Sequence, residues 1–120
     1  MTILLGNIDI DGIMEMFTQV AYQPGNPARL NNTINFITTL IASPEVANSK
    51  IPIGALLTNI TLYVVEHEAD ENVIKECFAF AISTFLQMDI PCFIQYDSLV
   101  GKDYLIPILD LYRKGGYDHQ

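Results

Sequence analysis

Apolar residues in the first third of the chain recur at spacings of three and four positions, which is the pattern of amphipathic α-helices. In the segment 11–22 the apolar stripe consists of Ile13, Met16, Phe17 and Val20. In the segment 27–42 it consists of Leu30, Ile34, Ile37 and Ile41. Two helices are therefore predicted here, separated by a break at Pro24 and Gly25.

Residues that cap helices stand at the predicted helix starts. Asp9 or Asp11 is expected to cap the first helix, because a carboxylate accepts hydrogen bonds from the free backbone N–H groups of the first turn. Asn26, followed by Pro27, is expected to open the second helix. The Ser-Pro pair at 43–44 repeats that arrangement and predicts one short turn of helix.

The segment 51–65 is strongly apolar but fits two patterns. Ile60, Leu62 and Val64 alternate with residues that favour strands. Leu56 and Ile60, however, stand one helical turn apart. The length of the segment and its helical neighbours favour a buried helix over a strand.

The segment 71–88 carries the widest apolar band in the chain, and Asp70 is expected to cap it. The band comprises Val73, Ile74, Cys77, Phe78, Ala81, Ile82, Phe85 and Leu86. A band of this width predicts a central helix that contacts its neighbours on more than one side.

A last helix is predicted over 103–114, where Pro107 implies either a start one turn later or a kink. Asp110 and Lys114 stand one turn apart and are expected to form an ion pair. The segment 92–96 fits either an extended strand or a tightly packed loop. The last residues, 114–120, are expected to form a frayed tail.

Together these elements predict an all-α fold, a single domain over 1–120 built as an irregular bundle of five to six helices. The alternative is an α+β fold with a short strand within 58–65 or 92–96. The chain has 120 residues, of which 50% are hydrophobic. That length suits one hydrophobic core and is too short for two.

The charge narrows the expected partners. Fourteen acidic residues against six basic ones give a formal net charge of −8. Nucleic acids and anionic membranes require a basic surface, so neither is expected as a partner, whereas a basic protein is. No apolar stretch is long enough to span a bilayer, and the start of the chain lacks the features of a signal peptide, so we expect a cytoplasmic protein.

Candidate catalytic residues are few. His67 stands between two glutamates, but no second histidine follows one turn later, which favours a solvated turn over a metal or catalytic site. Cys77 lies on the apolar band and is expected to be a buried structural thiol. Cys92 has no base that the sequence identifies. We therefore expect a protein that is not an enzyme and holds no cofactor or metal.

The remaining candidate site is acidic and aromatic. Clustered acids attract a basic partner over long distances, and tyrosines supply rigid contact area. The cluster at 66–76 is expected to be relieved by Lys75 alone, and two acid–tyrosine pairs follow it in sequence. The predicted partner-binding residues are Glu66, Glu68, Asp70, Glu71, Glu76, Tyr96, Asp97, Asp103 and Tyr104. The alternative is that the acids form a capped, solvated turn and the tyrosines complete the edge of the core.

In size, net charge and the acidic cluster at 66–76, the chain resembles small cytoplasmic bacterial immunity proteins, including those of contact-dependent growth inhibition systems. The resemblance covers the whole chain as composition, so it assigns no residue roles. It implies an acidic inhibitor or antitoxin that binds a nuclease-type toxin and blocks its cationic substrate cleft with carboxylates in place of phosphates. The alternative function is a structural or adaptor domain that self-associates, as a homo-oligomer, through its apolar helices.

Overall fold

The computed structural model describes residues 9–114, and these residues form six α-helices and two 3₁₀ turns. The helices are α1 (Ile10–Val20), α2 (Arg29–Ala42), α3 (Pro44–Ala47), α4 (Ile53–His67), α5 (Glu71–Met88) and α6 (Ile106–Tyr112). The 3₁₀ turns are Tyr96–Leu99 and Asp103–Leu105. The predicted all-α fold is confirmed. The α+β alternative is wrong, because 58–65 lies inside α4 and 92–96 forms no strand within the described residues.

The segments 1–8 and 115–120 lie outside the described residues. The predicted frayed tail over 114–120 therefore lies outside them too, except for Lys114.

Three of the predicted caps are present. The Asp9 carboxylate accepts a hydrogen bond from the backbone N–H of Gly12 at 2.7 Å, at the start of α1. Ser43 caps α3, which is the predicted short turn. Asp70 accepts from the backbone N–H of Asn72 at 2.9 Å and caps α5.

The predicted start of α2 is wrong by two residues. The Asn26 side chain accepts from the backbone N–H of Ala28 at 2.9 Å, and its carbonyl accepts from that of Arg29 at 3.1 Å. These bonds close a turn over Asn26 and Pro27 before the helix begins. The N-cap of α2 is Ala28, whose side chain has no capping group.

Helix α4 is buried between α1 and α5, which explains why its sequence also fits a strand. A helix that is covered on two sides is apolar on most of its surface, so the order of apolar and polar residues does not distinguish it from a strand. The hydroxyls of Thr58 and Thr61 donate to the carbonyls of Gly54 and Leu57, each at 2.7 Å. These internal bonds let polar, β-branched side chains lie buried inside a helix.

Helix α5 is central, as predicted, and packs against α2, α4 and α6. Lys75 near its start lies over the ring of Tyr104, just before α6, while Phe85 near its end contacts the ring of Tyr112 at the end of α6. The two helices therefore run in the same direction. Of the two alternatives that Pro107 left open, a later start or a kink, the structure has the later start, because Pro107 lies in the first turn of α6. Over 9–114, no helix combines the length and the apolar character needed to cross a membrane.

Candidate functional site

Glu68, at the centre of the predicted acidic cluster, is buried. It lies in the link between α4 and α5 and is 6% exposed. Arg29 donates two hydrogen bonds to it, from Nε to Oε1 at 2.5 Å and from Nη2 to Oε2 at 2.9 Å. The Tyr22 hydroxyl donates to Oε1 at 2.9 Å, and the backbone N–H groups of Ala69 and Asp70 donate to Oε2 at 3.1 and 2.9 Å. We call Tyr22, Arg29 and Glu68 the buried triad.

The protonation states of the buried triad are set by these contacts. The hydrogen bonds from Arg29 are the main reason that the pKa of Glu68 falls to about 2, against the opposing effect of burial. Burial, followed by the hydrogen bond to Glu68, raises the pKa of Tyr22 above its ordinary value. At neutral pH the triad therefore consists of a carboxylate, a guanidinium and a neutral phenol. It joins the end of α1, the start of α2 and the α4–α5 link.

Burial removes Glu68 from the surface that a partner could contact. Its carboxylate is neutralised by Arg29, so it contributes little to the field outside the protein. The expectation that Lys75 alone relieves the acidic cluster is therefore wrong. A sequence offers no local indication that Arg29, 39 positions earlier, supplies the second cation.

The other four acids of the cluster, Glu66, Asp70, Glu71 and Glu76, are exposed. Lys75 contacts both an acid of this cluster and one of the predicted tyrosines. Its Nζ lies 3.1 Å from the Glu71 carboxylate and 5.5 Å from the centre of the Tyr104 ring. The structure therefore brings Tyr104, with its exposed neighbour Asp103, to the same surface as the first turns of α5. We call the six residues Glu66, Asp70, Glu71, Glu76, Asp103 and Tyr104 the acidic face.

Tyr96 and Asp97 belong to a different part of the surface. The Tyr96 hydroxyl donates to the Asp110 carboxylate at 2.5 Å, and the Arg113 guanidinium lies 4.6 Å from the centre of its ring. Arg113 also donates to the carbonyl of Ile94 at 2.8 Å. These contacts place Tyr96 near the end of α6, whereas Tyr104 precedes its start. The predicted ion pair between Asp110 and Lys114 is wrong, since no ion pair joins these two residues, both of which lie within the described range.

The candidate catalytic residues Cys77 and His67 make contacts that are typical of side chains with a structural role. Cys77 is 1% exposed, as predicted, and burial raises the pKa of its thiol to about 12, so it stays protonated at neutral pH. His67 is exposed; its Nδ1 lies 2.8 Å from the carbonyl of Tyr63, and its ring stacks on the Tyr63 ring at 4.0 Å. Within residues 9–114, no group of three or more potential ligands is placed to hold a metal ion.

Sequence reasoning missed the partners of two predicted residues. Tyr22 and Arg29 hold Glu68, while Asp110 and Arg113 hold Tyr96. One feature of the sequence indicated that Arg29 pairs with an acid: it is the sole basic residue before Lys50 in an acidic chain.

Comparison with protein-family models, with curated proteins and with solved structures finds no match for this chain.

Proposed function

We propose that this chain is an acidic inhibitor that binds a basic protein and occludes its cationic cleft, most concretely an immunity protein or antitoxin that neutralises a nuclease-type toxin. The observation that carries the proposal is the acidic face. Its five carboxylates are exposed, and Lys75 contacts two of its residues, Glu71 and Tyr104.

Two of the protein's own cations already contact other side chains, which supports this proposal. Arg29 is committed to the buried Glu68, and Arg113 lies over the Tyr96 ring. Glu66, Asp70, Glu76 and Asp103 form no ion pair with a cation among residues 9–114, although the pKa of the Arg29 guanidinium, raised mainly by its hydrogen bonds to Glu68, is also raised by the nearby charge of Asp70. Exposed carboxylates without a cation are available to an incoming basic surface, and complementary potentials raise the rate of association.

Tyr104 supplies contact area that does not depend on charge. Its ring is half-buried under Lys75, which holds it in place. Tyrosine is enriched at binding hot spots because a rigid ring loses little entropy when it is covered. The carboxylates would stand where phosphates of the toxin's substrate bind, with the tyrosine at the edge of the contact.

The alternative, self-association through apolar helices, has less surface to use than the sequence implied. The apolar residues of α4 and α5 are largely covered by other helices of the same chain. The exposed positions of α5 are mainly polar, and Met88 at its end is the large apolar exception: Glu71, Asn72, Glu76, Ala79, Ser83, Gln87 and Met88. We therefore favour the charged surface over these helices as the basis for binding.

The first experiment is affinity capture at low salt from cells that contain the protein, with elution in a rising salt gradient. We expect a basic protein to elute as salt screens the attraction. The purified partner is then assayed for cleavage of DNA and RNA with and without this chain. A partner whose nuclease activity is unchanged by a saturating amount of the chain would contradict the toxin–immunity proposal.

The location of the site is tested by two matched triple variants. Glu66→Gln, Asp70→Asn and Glu76→Gln remove three charges from the acidic face, and asparagine at position 70 keeps the helix cap. The control set, Asp11→Asn, Glu15→Gln and Glu45→Gln, removes the same three charges from exposed positions elsewhere.

We expect the first set to slow association with the partner about tenfold or more at low salt and to flatten the salt dependence of affinity. The control set should produce a clearly smaller change. Equal effects of the two sets would show that net charge matters and that the acidic face does not.

A further inference from the structure

Lys75 occupies a position on the acidic face where two different groups attract a cation. Its Nζ lies 3.1 Å from the Glu71 carboxylate and 5.5 Å from the centre of the Tyr104 ring. A carboxylate attracts an ammonium by charge, and the face of an aromatic ring attracts it through the negative potential of its π electrons, within about 6 Å. We call Glu71 and Tyr104 the cation subsite. We propose that this subsite binds a lysine ammonium of the basic partner, and that Lys75 occupies it until the partner displaces it.

The present occupant of the subsite is easily displaced. The side chains of Lys75 and Glu71 are 44% and 56% exposed, so water solvates both charges when they separate. An exposed ion pair within one helix contributes little to stability, because water screens the charges and two long side chains must be held in place. The four-carbon stem of a lysine lets its ammonium rotate into solvent. A competing ammonium therefore replaces Lys75 at a small cost.

The two groups of the subsite are held in place without Lys75. Tyr104 is half-buried and packs against the hydrophobic core. Glu71 is the first residue of α5, and the start of that helix is fixed by the Asp70 cap. Helix α5 also packs against the 3₁₀ turn Asp103–Leu105, which contains Tyr104. The carboxylate and the ring therefore stay close together when Lys75 leaves.

The chemistry of the subsite selects its ligand. An anionic group is repelled by the Glu71 carboxylate, and a neutral group gains nothing from its charge, whereas an ammonium is attracted by both the carboxylate and the Tyr104 ring. This inference rests on the proposed function, because it names the group of the basic partner that the acidic face receives. Since the partner must displace Lys75, removal of Lys75 should strengthen binding more than removal of a positive charge elsewhere.

The test uses a hexalysine peptide that is blocked at both ends, so it does not require the natural partner. Lys75→Met removes the ammonium and keeps an unbranched side chain with good helix propensity. The matched control, Lys50→Met, removes the same charge at an exposed position that precedes α4. Helix α4 is about 20 Å long, and the subsite follows its other end. NMR titration at low salt and neutral pH measures the Kd of the peptide for each variant.

We expect Lys75→Met to bind hexalysine about threefold or more tightly than the wild type does, and Lys50→Met to produce a clearly smaller change. Tyr104→Leu, added to Lys75→Met, should weaken binding again by about threefold, because it removes the π face without changing the charge. Leucine keeps an apolar side chain against the core, and circular dichroism of every variant checks that the fold is retained.

Three results would overturn the inference. The first is equal tightening by Lys75→Met and Lys50→Met, which would show that net charge alone governs binding. The second is an unchanged affinity when Tyr104→Leu is added, which would show that the ring takes no part. The third is the absence of binding by any variant at peptide concentrations up to about 10 mM. None of these results decides whether a basic partner exists, because affinity capture from cells answers that question separately.

Discussion

Two regions of the molecule contain the same three kinds of group in different surroundings. In the buried triad, the Tyr22 hydroxyl donates to Glu68 at 2.9 Å, and Arg29 donates to the same carboxylate. Near α6, the Tyr96 hydroxyl donates to Asp110 at 2.5 Å, and Arg113 lies over the Tyr96 ring. Tyr22 is 2% exposed and Tyr96 is 46% exposed.

Burial decides what each group of residues can do. In the triad, Tyr22 and Glu68 are buried and Arg29 is partly exposed, so the loss of a partner leaves a buried polar group without a hydrogen bond, and the triad joins three segments of the fold. Tyr96 itself is exposed, so water can replace the contact that its hydroxyl makes, which leaves Tyr96 available to a binding partner at little cost in stability.

The largest effect is expected from Glu68→Gln. The variant removes the charge that Arg29 and Tyr22 are arranged to bind, so the free energy of unfolding should fall by about 3 kcal/mol. Urea denaturation at pH 7 measures it. Glu66→Gln, an exposed change two residues earlier, is the control and should alter stability by less than about 0.5 kcal/mol. Similar losses in the two variants would mean that the triad contributes no special stability.

The pH dependence of stability should show the same carboxylate. The pKa of Glu68 is lowered to about 2 from an ordinary value of 4.5. Its contribution is therefore present above pH 4.5 and is lost as pH falls from there towards 2. Urea denaturation at steps between pH 6 and pH 2 should show this loss in the wild type and a smaller one in Glu68→Gln. Identical acid dependence in both proteins would contradict the assignment.

A smaller loss is expected from Tyr22→Phe, which removes one of the hydrogen bonds to Glu68 and keeps the ring in the core. The free energy of unfolding should fall by about 1–2 kcal/mol. Since the pKa of Tyr22 is raised in the folded state, its contribution is complete below pH 10 and is lost at higher pH. Chemical denaturation at pH 7 and pH 10.5 measures both effects, and an unchanged stability at pH 7 would show that the bond contributes nothing.

The smallest effect is expected from Tyr96→Phe, the same substitution in the exposed region. Water solvates Asp110 when the hydroxyl is removed, so the change in stability should stay within about 0.5 kcal/mol. Thermal and urea denaturation beside Tyr22→Phe provide a direct comparison. If Tyr96→Phe lowered the free energy of unfolding as much as Tyr22→Phe, the difference in exposure would not determine how much each tyrosine hydroxyl contributes to stability.

Local patterns were sufficient to predict most of the helices. Asp9, Ser43 and Asp70 act on N–H groups within three residues of themselves, and the apolar spacing of α1 and α5 indicates most of the buried side of each helix, although Val20 of the α1 stripe is 55% exposed. The strand alternative at 58–65 arose because α4 is covered on two sides, which blurs the difference between the two periods. Pro107 likewise indicated where the last helix could begin.

The acidic cluster shows what sequence could not resolve. Four of its five acids are exposed, as a charged run implies, yet Glu68 lies in the core. Its neighbours in sequence do not distinguish it from Glu66, because the difference comes from Tyr22 and Arg29, which approach it from α1 and α2.

The sequence by itself determined most of the helical elements, three of their caps and the acidic net charge, because these depend on composition or on residues within one or two turns. The tertiary structure decided which carboxylate is buried, which cation neutralises it, and which tyrosine joins the acidic face. Those outcomes depend on contacts between residues up to 46 positions apart. Such contacts exist only after the helices have packed, and burial then turns equivalent side chains into either structural or surface groups.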